Sequence, residues 1–136
     1  YILIALIFKV EINSTSLIYL PIIILTLTLF GTGIGMILSI IQIYFKDINH
    51  ILDFIILIGF WTSGIFFSAK VILSYSETIY YLNPLIGIIE NGRALILTNS
   101  PINIKLLSVN MFVSGIVFYL GIFFLNKLYK TYLENL

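Results

Sequence analysis

The feature that most constrains this chain is the long run from Leu17 to Phe45, which contains no charged side chain. A helix rises about 1.5 Å per residue, so roughly 20 apolar residues cross the ~30 Å hydrocarbon core of a bilayer. Pro21 lies near the start of the run, where a helix tolerates proline best. The pattern predicts a membrane-spanning helix over 17–45, with length to spare for tilt.

Charged residues are scarce along the whole chain. They make up 10% of it, against 60% hydrophobic residues, whereas a soluble domain carries about 25% charged residues. The net charge of +1 gives no argument for a nucleic-acid partner. The absence of cysteine excludes disulfides and cysteine-ligated metal sites. We therefore expect an all-α, polytopic helical bundle whose solvent is the lipid bilayer.

Three further segments fit this class. Residues 51–69 are expected to form a second full span, because Asp53 lies near its start, where a carboxylate is much less costly than at mid-membrane. Residues 106–126 are expected to form the last span, followed by an amphiphilic tail over 127–136. Residues 1–8 are uncharged and largely apolar. We expect them to be the end of a span whose start is missing, in a fragment of a longer polytopic protein.

The segment 78–104 is apolar but interrupted by polar residues. Over 78–97, the Ile and Leu side chains favour insertion by about 3–5 kcal/mol in total. Glu90 and Arg93 at mid-membrane would cost about 5–7 kcal/mol together. We therefore expect two short helices, broken around Asn91-Gly92, that form a re-entrant hairpin covered by protein or by a water-filled cavity.

Glycines recur within the first span. Gly31-Thr-Gly-Ile-Gly35 lacks the Gly-Lys-Ser/Thr ending of a phosphate-binding loop. Gly31 and Gly35 instead form a GxxxG pair, which lets two helix backbones approach closely. The spacing predicts helix packing.

The candidate functional residues each have two interpretations. Glu90 and Arg93 are three residues apart, so they can pair on one helix face; they either line a polar gate or neutralise each other at membrane depth. Lys46-Asp47 is either a solvated turn or a contact for a soluble partner. A group of aromatic residues either sits at the lipid headgroups or stacks on sugar rings: Trp61, Phe66, Phe67, Tyr80 and Tyr81. No catalytic set is present in the sequence, and we do not expect an enzyme.

The order of these motifs resembles a known family. Tyr44-Phe45-Lys46-Asp47 precedes an apolar span that ends in Phe60–Phe67; Tyr81-Leu-Asn-Pro-Leu85 and Ile89-Glu-Asn-Gly-Arg93 follow. Over about residues 29–97 the chain resembles the C-terminal half of ABC-2 type permeases that export polysaccharides and polyol phosphates, such as O-antigen, capsule and teichoic acid.

The resemblance implies an architecture and partners. It implies six spans per subunit, a homodimer in the bacterial cytoplasmic membrane, and a lipid-linked glycan as substrate. A separate ATPase subunit would bind ATP and magnesium, while this chain would bind no cofactor or metal. Lys46 and Asp47 would face the ATPase. Short re-entrant helices before the last span would form an outer gate containing Asn83, Pro84, Glu90 and Arg93.

The chain departs from the family pattern at two positions. The family usually has Arg where this chain has Lys46, so a forked contact there would be lost. It often has Ser-Pro where this chain has Ser63-Gly64, although glycine also permits a bend. Three alternatives remain: an ABC-2 exporter of a drug or small lipid, an ion-coupled secondary transporter with broken helices, and a membrane assembly protein without transport.

Overall fold

The computed structural model describes residues 16–44, 48–66, 68–98 and 100–134, and every regular element in these ranges is helical. The predicted all-α class is confirmed. After a 3-10 turn, Ser16–Tyr19, the helices are α1 (Leu20–Tyr44), α2 (Ile48–Thr62), α3 (Ala69–Tyr75), α4 (Glu77–Leu82), α5 (Pro84–Arg93) and α6 (Ile104–Glu134), with a π-helical turn, Ala94–Thr98, after α5.

Helices α1 and α6 are the two described helices that are long and apolar enough to cross a membrane. The qualifying stretches are Leu20–Ile43 and Ile104–Leu128, with mean hydropathies of 2.1 and 2.0. Only 17% and 28% of the residues in the apolar part of each are buried inside the structure. Most of their apolar side chains therefore face outward, as suits helices in lipid rather than helices in the core of a soluble protein.

Helix α6 is longer than the span expected over 106–126. It begins at Ile104 and continues to Glu134, through most of the tail expected over 127–136. The continuation contains no glycine or proline, the residues that most disfavour a helix interior. The last span and the tail are therefore one helix.

Helix α2 differs from the full span predicted over 51–69. It has 15 residues, from Ile48 to Thr62, which give about 22 Å of helix. Gly64 follows with a φ of 78°, a left-handed conformation that only glycine adopts at little cost. The helix therefore ends at the Ser63-Gly64 bend instead of running on to residue 69.

Helices α1 and α6 pack closely at glycines. A Cβ atom on Gly33 would lie 2.7 Å from the backbone nitrogen of Phe118, and one on Gly121 would lie 2.9 Å from the Gly33 carbonyl oxygen. Gly31 and Gly35, which the sequence predicted to pack, have open space around the Cβ position. The glycine between them makes the contact, because it lies on the opposite side of the helix.

The same two helices run parallel to each other. Near their starts, Ile23 of α1 and Leu107 of α6 share one apolar cluster with Leu95. Further along, Gly33 of α1 meets Phe118 of α6. Since the contacts advance along both helices together, α1 and α6 begin at the same end of the bundle.

The break among the short helices lies at Asn83-Pro84. The side chain of Asn83 caps the start of α5, and Pro84 is its first residue, the position at which a helix accepts proline most readily. A residue before proline also disfavours helical backbone. The predicted break around Asn91-Gly92 is wrong, because α5 continues through both residues to Arg93.

The short-helix segment, which comprises residues 69–98, packs against the first turns of α6. Ala69, Tyr80, Ile86 and Leu106 form one buried cluster. Leu106 belongs to the first turn of α6. The segment therefore lies at the end of the bundle where α1 and α6 begin.

Candidate functional site

A cleft of about 650 Å³ opens between the turn after α2, the start of α3, the second half of α5 and the connection to α6. Three charged side chains line it, those of Lys70, Glu90 and Arg93. Its neutral polar lining consists of Ser68, Tyr80, Asn91, Ser100 and Asn103. Charged residues are only 10% of the chain, so the gathering of three in one concave surface makes this cleft the candidate site.

Both ends of α5 hold the turn that follows α2. At the start of α5, the Asn83 amide donates a hydrogen bond to the carbonyl oxygen of Thr62, 3.3 Å away. At its end, the Arg93 guanidinium donates to the carbonyl oxygen of Ile65. One wall of the cleft is therefore fixed to α5 by side-chain donors that satisfy backbone carbonyls of an irregular turn.

Glu90 and Arg93 both line the cleft, but they do not form the ion pair that their spacing allows. The Arg93 guanidinium donates to the carbonyl oxygen of Ile65 instead, and no ion pair joins Glu90 to Arg93 in the structure. The half-buried carboxylate of Glu90 is therefore not neutralised by Arg93, and both groups remain able to contact a ligand.

A pair of asparagines joins α5 to the start of α6. Asn91 is 1% exposed; its amide donates to the carbonyl oxygen of Gly87 at 3.0 Å, and its side-chain oxygen accepts from the backbone N–H of Asn103 at 2.9 Å. The Asn103 side chain in turn accepts from the N–H of Leu106 at 3.0 Å. These bonds satisfy the first turn of α6 and set its position relative to the cleft.

A third asparagine joins α6 to α4. Asn110 is fully buried, and its amide donates to the carbonyl oxygen of Tyr81 at 2.6 Å. Its side-chain oxygen has no hydrogen-bond partner in the described part of the chain and lies against Gly87. A buried amide within an apolar helix costs free energy unless it is bonded, so the bond to Tyr81 fastens the short-helix segment to α6.

The two tyrosines of α4 have different surroundings. Tyr80 is 6% exposed. Burial raises its pKa, the neighbouring Glu90 carboxylate and Tyr81 raise it further, and a hydrogen bond with the Asn103 side chain opposes this rise. Tyr81 stacks edge-on against Tyr80 and lies under the ammonium of Lys105, 4.6 Å from the ring centroid. Tyr80 therefore faces the cleft as a neutral phenol.

The predicted sugar-stacking aromatics do not form one surface. Trp61 and Phe66 are exposed and lie 5.4 Å apart between ring centroids, and Phe66 lines the cleft. Tyr80 is buried and Tyr81 is half-buried under Lys105, which leaves little ring face for a sugar. Phe67 lies outside the described residues.

The remaining predicted residues separate into two groups. Lys46 and Asp47 lie outside the described residues. Asn83 and Pro84 do not line the cleft; Asn83 caps α5, and Pro84 is buried as its first residue. Of the four residues assigned to the outer gate, Glu90 and Arg93 are the two that line the cleft.

Sequence reasoning missed Lys70 and Asn103 of the cleft lining, and also Asn110, which joins α6 to α4. Asn110 carried a signal, because an asparagine within an apolar span is expected to bond to a neighbouring helix. Asn103 also carried one, since asparagine just before an apolar run is a helix cap. Lys70 had no comparable signal, because a lysine that directly follows an expected span is typical of the end of a membrane helix.

Comparison with known proteins identifies the family. The family model for ABC-2 type transporters matches residues 1–97, which include most of the cleft lining. The chain is similar to the O-antigen export system permease protein RfbA of Klebsiella pneumoniae, with 26% identity over 117 residues. That alignment covers 86% of this chain and 45% of the relative, so the chain spans about half its relative's length. No solved structure matches the chain significantly. Since the family model covers most of its length, the chain belongs to the ABC-2 type transporter family.

Proposed function

We propose that this chain is part of the transmembrane permease of an ATP-driven exporter, which moves a lipid-linked polysaccharide or polyol phosphate across the bacterial cytoplasmic membrane. The observation that carries the proposal is the ABC-2 family match. The choice of a glycan substrate is supported by the likeness to an O-antigen export permease. The chain itself would be a transport subunit and not an enzyme.

The direction of the helices supports a re-entrant position for the short-helix segment. Helices α1 and α6 begin at the same end of the bundle, as the cluster shared by Ile23 and Leu107 and the contact of Gly33 with Phe118 indicate. The chain between them must therefore return across the membrane once. Helix α2, about 22 Å long, supplies most of the length of this return, and its end is tied to α5 at Thr62. The short-helix segment would then enter and leave on one side.

Polarity supports the same arrangement. Glu90 and Arg93 would cost about 5–7 kcal/mol if both faced lipid at mid-membrane. Both line the cleft instead, where water or substrate can solvate them. A re-entrant hairpin survives at membrane depth only in such a setting.

The proposal includes two partners. A separate ATPase subunit would hold ATP and magnesium and would contact the loop that contains Lys46 and Asp47. Helix α1 ends at Tyr44, at the opposite end of the bundle from the short-helix segment, so ATP-driven motion that enters there would act on a gate at the other face. A second permease copy would complete the transport path.

The proposal is tested with the full-length permease and the ATPase encoded beside it. We expect the two to copurify and, in proteoliposomes, to hydrolyse ATP faster when the lipid-linked glycan of the source bacterium is added. Deletion of the permease gene should remove the surface polysaccharide. Intact surface polysaccharide together with new drug sensitivity would overturn the choice of substrate and favour drug export.

A further inference from the structure

The cleft carries more positive than negative charge. Lys70 and Arg93 line it together with one carboxylate, that of Glu90. The Lys70 side chain is exposed and makes no ion pair within the described part of the chain. Arg93 commits a single nitrogen to the Ile65 carbonyl, which leaves most of the five N–H donors of a guanidinium available. The cleft therefore offers cationic donors from two separate helices.

We propose that this cleft is a binding site for a phosphodiester, held by Lys70 and Arg93. The proposal rests on the function proposed above and deepens it, because it assigns the residues that hold the phosphate of the transported molecule. Arginine presents a planar fork that matches two phosphate oxygens, and lysine supplies a mobile point charge. The hydroxyl of Tyr80, on the wall of the cleft, adds a neutral donor.

Glu90 restricts which phosphate compounds the site accepts. Its carboxylate lies in the same lining as Lys70 and Arg93, so it repels a second negative charge. It also accepts hydrogen bonds, which hydroxyl groups beside a phosphate can donate. The site is therefore suited to a singly charged phosphodiester that carries hydroxyl groups, and less suited to doubly charged inorganic phosphate.

The size of the cleft agrees with such a ligand. Its volume of about 650 Å³ falls within the range of roughly 300–1,000 Å³ that is usual for small-molecule sites. Phe66, with 64% of its surface exposed, forms an apolar part of the lining against which a sugar or polyol carbon chain can pack.

The test is calorimetric titration of glycerophosphoglycerol, a soluble hydroxylated phosphodiester, into the full-length permease in phosphatidylcholine nanodiscs. We expect Lys70→Gln to weaken binding by about tenfold, the effect of losing one charge-assisted contact. Arg93→Lys keeps the charge but loses the fork, so it should weaken binding by about threefold. Glu90→Gln should tighten the binding of inorganic phosphate.

Lys105→Gln is the matched control, because Lys105 is a nearby cation that lies over Tyr81 outside the cleft lining. It should change the affinity by less than about twofold. Unchanged binding in Lys70→Gln, or equal weakening in Lys70→Gln and Lys105→Gln, would overturn the site. Absence of binding to the unsubstituted protein would overturn it as well.

A second arm identifies the source of the phosphate. Nanodiscs that contain phosphatidylglycerol should compete with glycerophosphoglycerol if the site takes a lipid headgroup, and should not compete if it takes a phosphate within the exported chain. Either result is consistent with the site.

If binding fails while the glycan still stimulates ATP hydrolysis by the assembled exporter, the site is wrong and the proposed function stands. If binding depends on Lys70 but no ATPase associates with the permease, the site is correct and the proposed function is wrong.

Discussion

Gly87 and Asn110 are in such close contact that a Cβ atom on Gly87 would lie 1.6 Å from the side-chain oxygen of Asn110. Gly87 is in the middle of α5, and Asn110 is in the second turn of α6. The Asn110 side chain cannot rotate away freely, because its amide is bonded to the Tyr81 carbonyl. The absence of a side chain at residue 87 therefore sets the distance between the short-helix segment and the last helix.

Gly87→Ala should weaken the packing of α5 against α6. The new methyl group would either displace the Asn110 side chain or separate α5 from α6, and we expect a loss of about 2–3 kcal/mol, from overpacking and a broken hydrogen bond. The measurement is thermal unfolding of the purified full-length permease in detergent.

Gly92→Ala is the control for this substitution, because it changes the same helix at a position with no atoms within 4 Å of the new Cβ. Its stability should stay the same or rise by up to about 1 kcal/mol, since alanine favours a helix more than glycine does. Equal melting temperatures for the two variants would contradict the close contact at Gly87.

Gly33→Ala should weaken the packing of α1 on α6. Its Cβ would lie 2.7–2.8 Å from backbone atoms of Val117 and Phe118, and a backbone cannot move aside as a side chain does. We expect a loss of about 1–3 kcal/mol, measured by resistance to unfolding in sodium dodecyl sulfate. Gly31→Ala, which meets nothing within 4 Å, should leave this resistance unchanged. A greater loss at Gly31 would restore the GxxxG pair as the contact between these helices.

The long helices could be predicted from sequence, but the face on which they pack could not. The absence of charge in α1 and most of α6 leaves helix as the only state that satisfies the backbone in lipid. The spacing of Gly31 and Gly35 indicated a small-residue face, yet Gly33 makes the contact. Three glycines at alternate positions present small surfaces on both sides of a helix, so their spacing alone does not select a side.

The side-chain hydrogen bonds that connect the helices and turns were harder to predict, because their acceptors are backbone carbonyl oxygens. Asn110 bonds the carbonyl of Tyr81, Asn83 that of Thr62, and Arg93 that of Ile65. Every residue has a backbone carbonyl oxygen, so the sequence shows which side chain can donate but not which carbonyl accepts. The end of α2 was missed for a related reason: glycine is common within membrane helices, and the left-handed backbone of Gly64 leaves no trace in the residues beside it.

Asn83 has two separable roles, and two substitutions distinguish them. Its side-chain oxygen accepts from the N–H of Leu85 at 3.1 Å, while its amide donates to the Thr62 carbonyl at 3.3 Å. Asn83→Asp keeps the cap, which aspartate provides equally well, but removes the donor. We expect faster amide hydrogen exchange in residues 62–66 with little change in α5.

Asn83→Ala removes both bonds, and each loss should cost about 1 kcal/mol. Exchange should then become faster in the first turn of α5 as well as in residues 62–66, as read by mass spectrometry of the two peptides. If Asn83→Asp leaves residues 62–66 as protected as in the unsubstituted protein, the bond to Thr62 does not hold the turn.

Tyr80 should make the stability of the short-helix segment depend on pH at the alkaline end. Tyr80 lies on α4, outside the two membrane-spanning helices, and burial raises its pKa above the usual 10.0. The folded state thus favours the neutral phenol, and this stabilisation is complete below pH 10 and is lost as the pH rises through the folded-state pKa.

Tyr80→Phe should lower stability at pH 7 by about 1 kcal/mol, through the lost hydrogen bond with Asn103, and should reduce the decline in stability above pH 10. Tyr75→Phe, at a side chain that is 87% exposed, should retain the decline of the unsubstituted protein. Thermal unfolding at pH 7 and above pH 10 measures both effects, and an undiminished alkaline decline in Tyr80→Phe would exclude Tyr80 as its source.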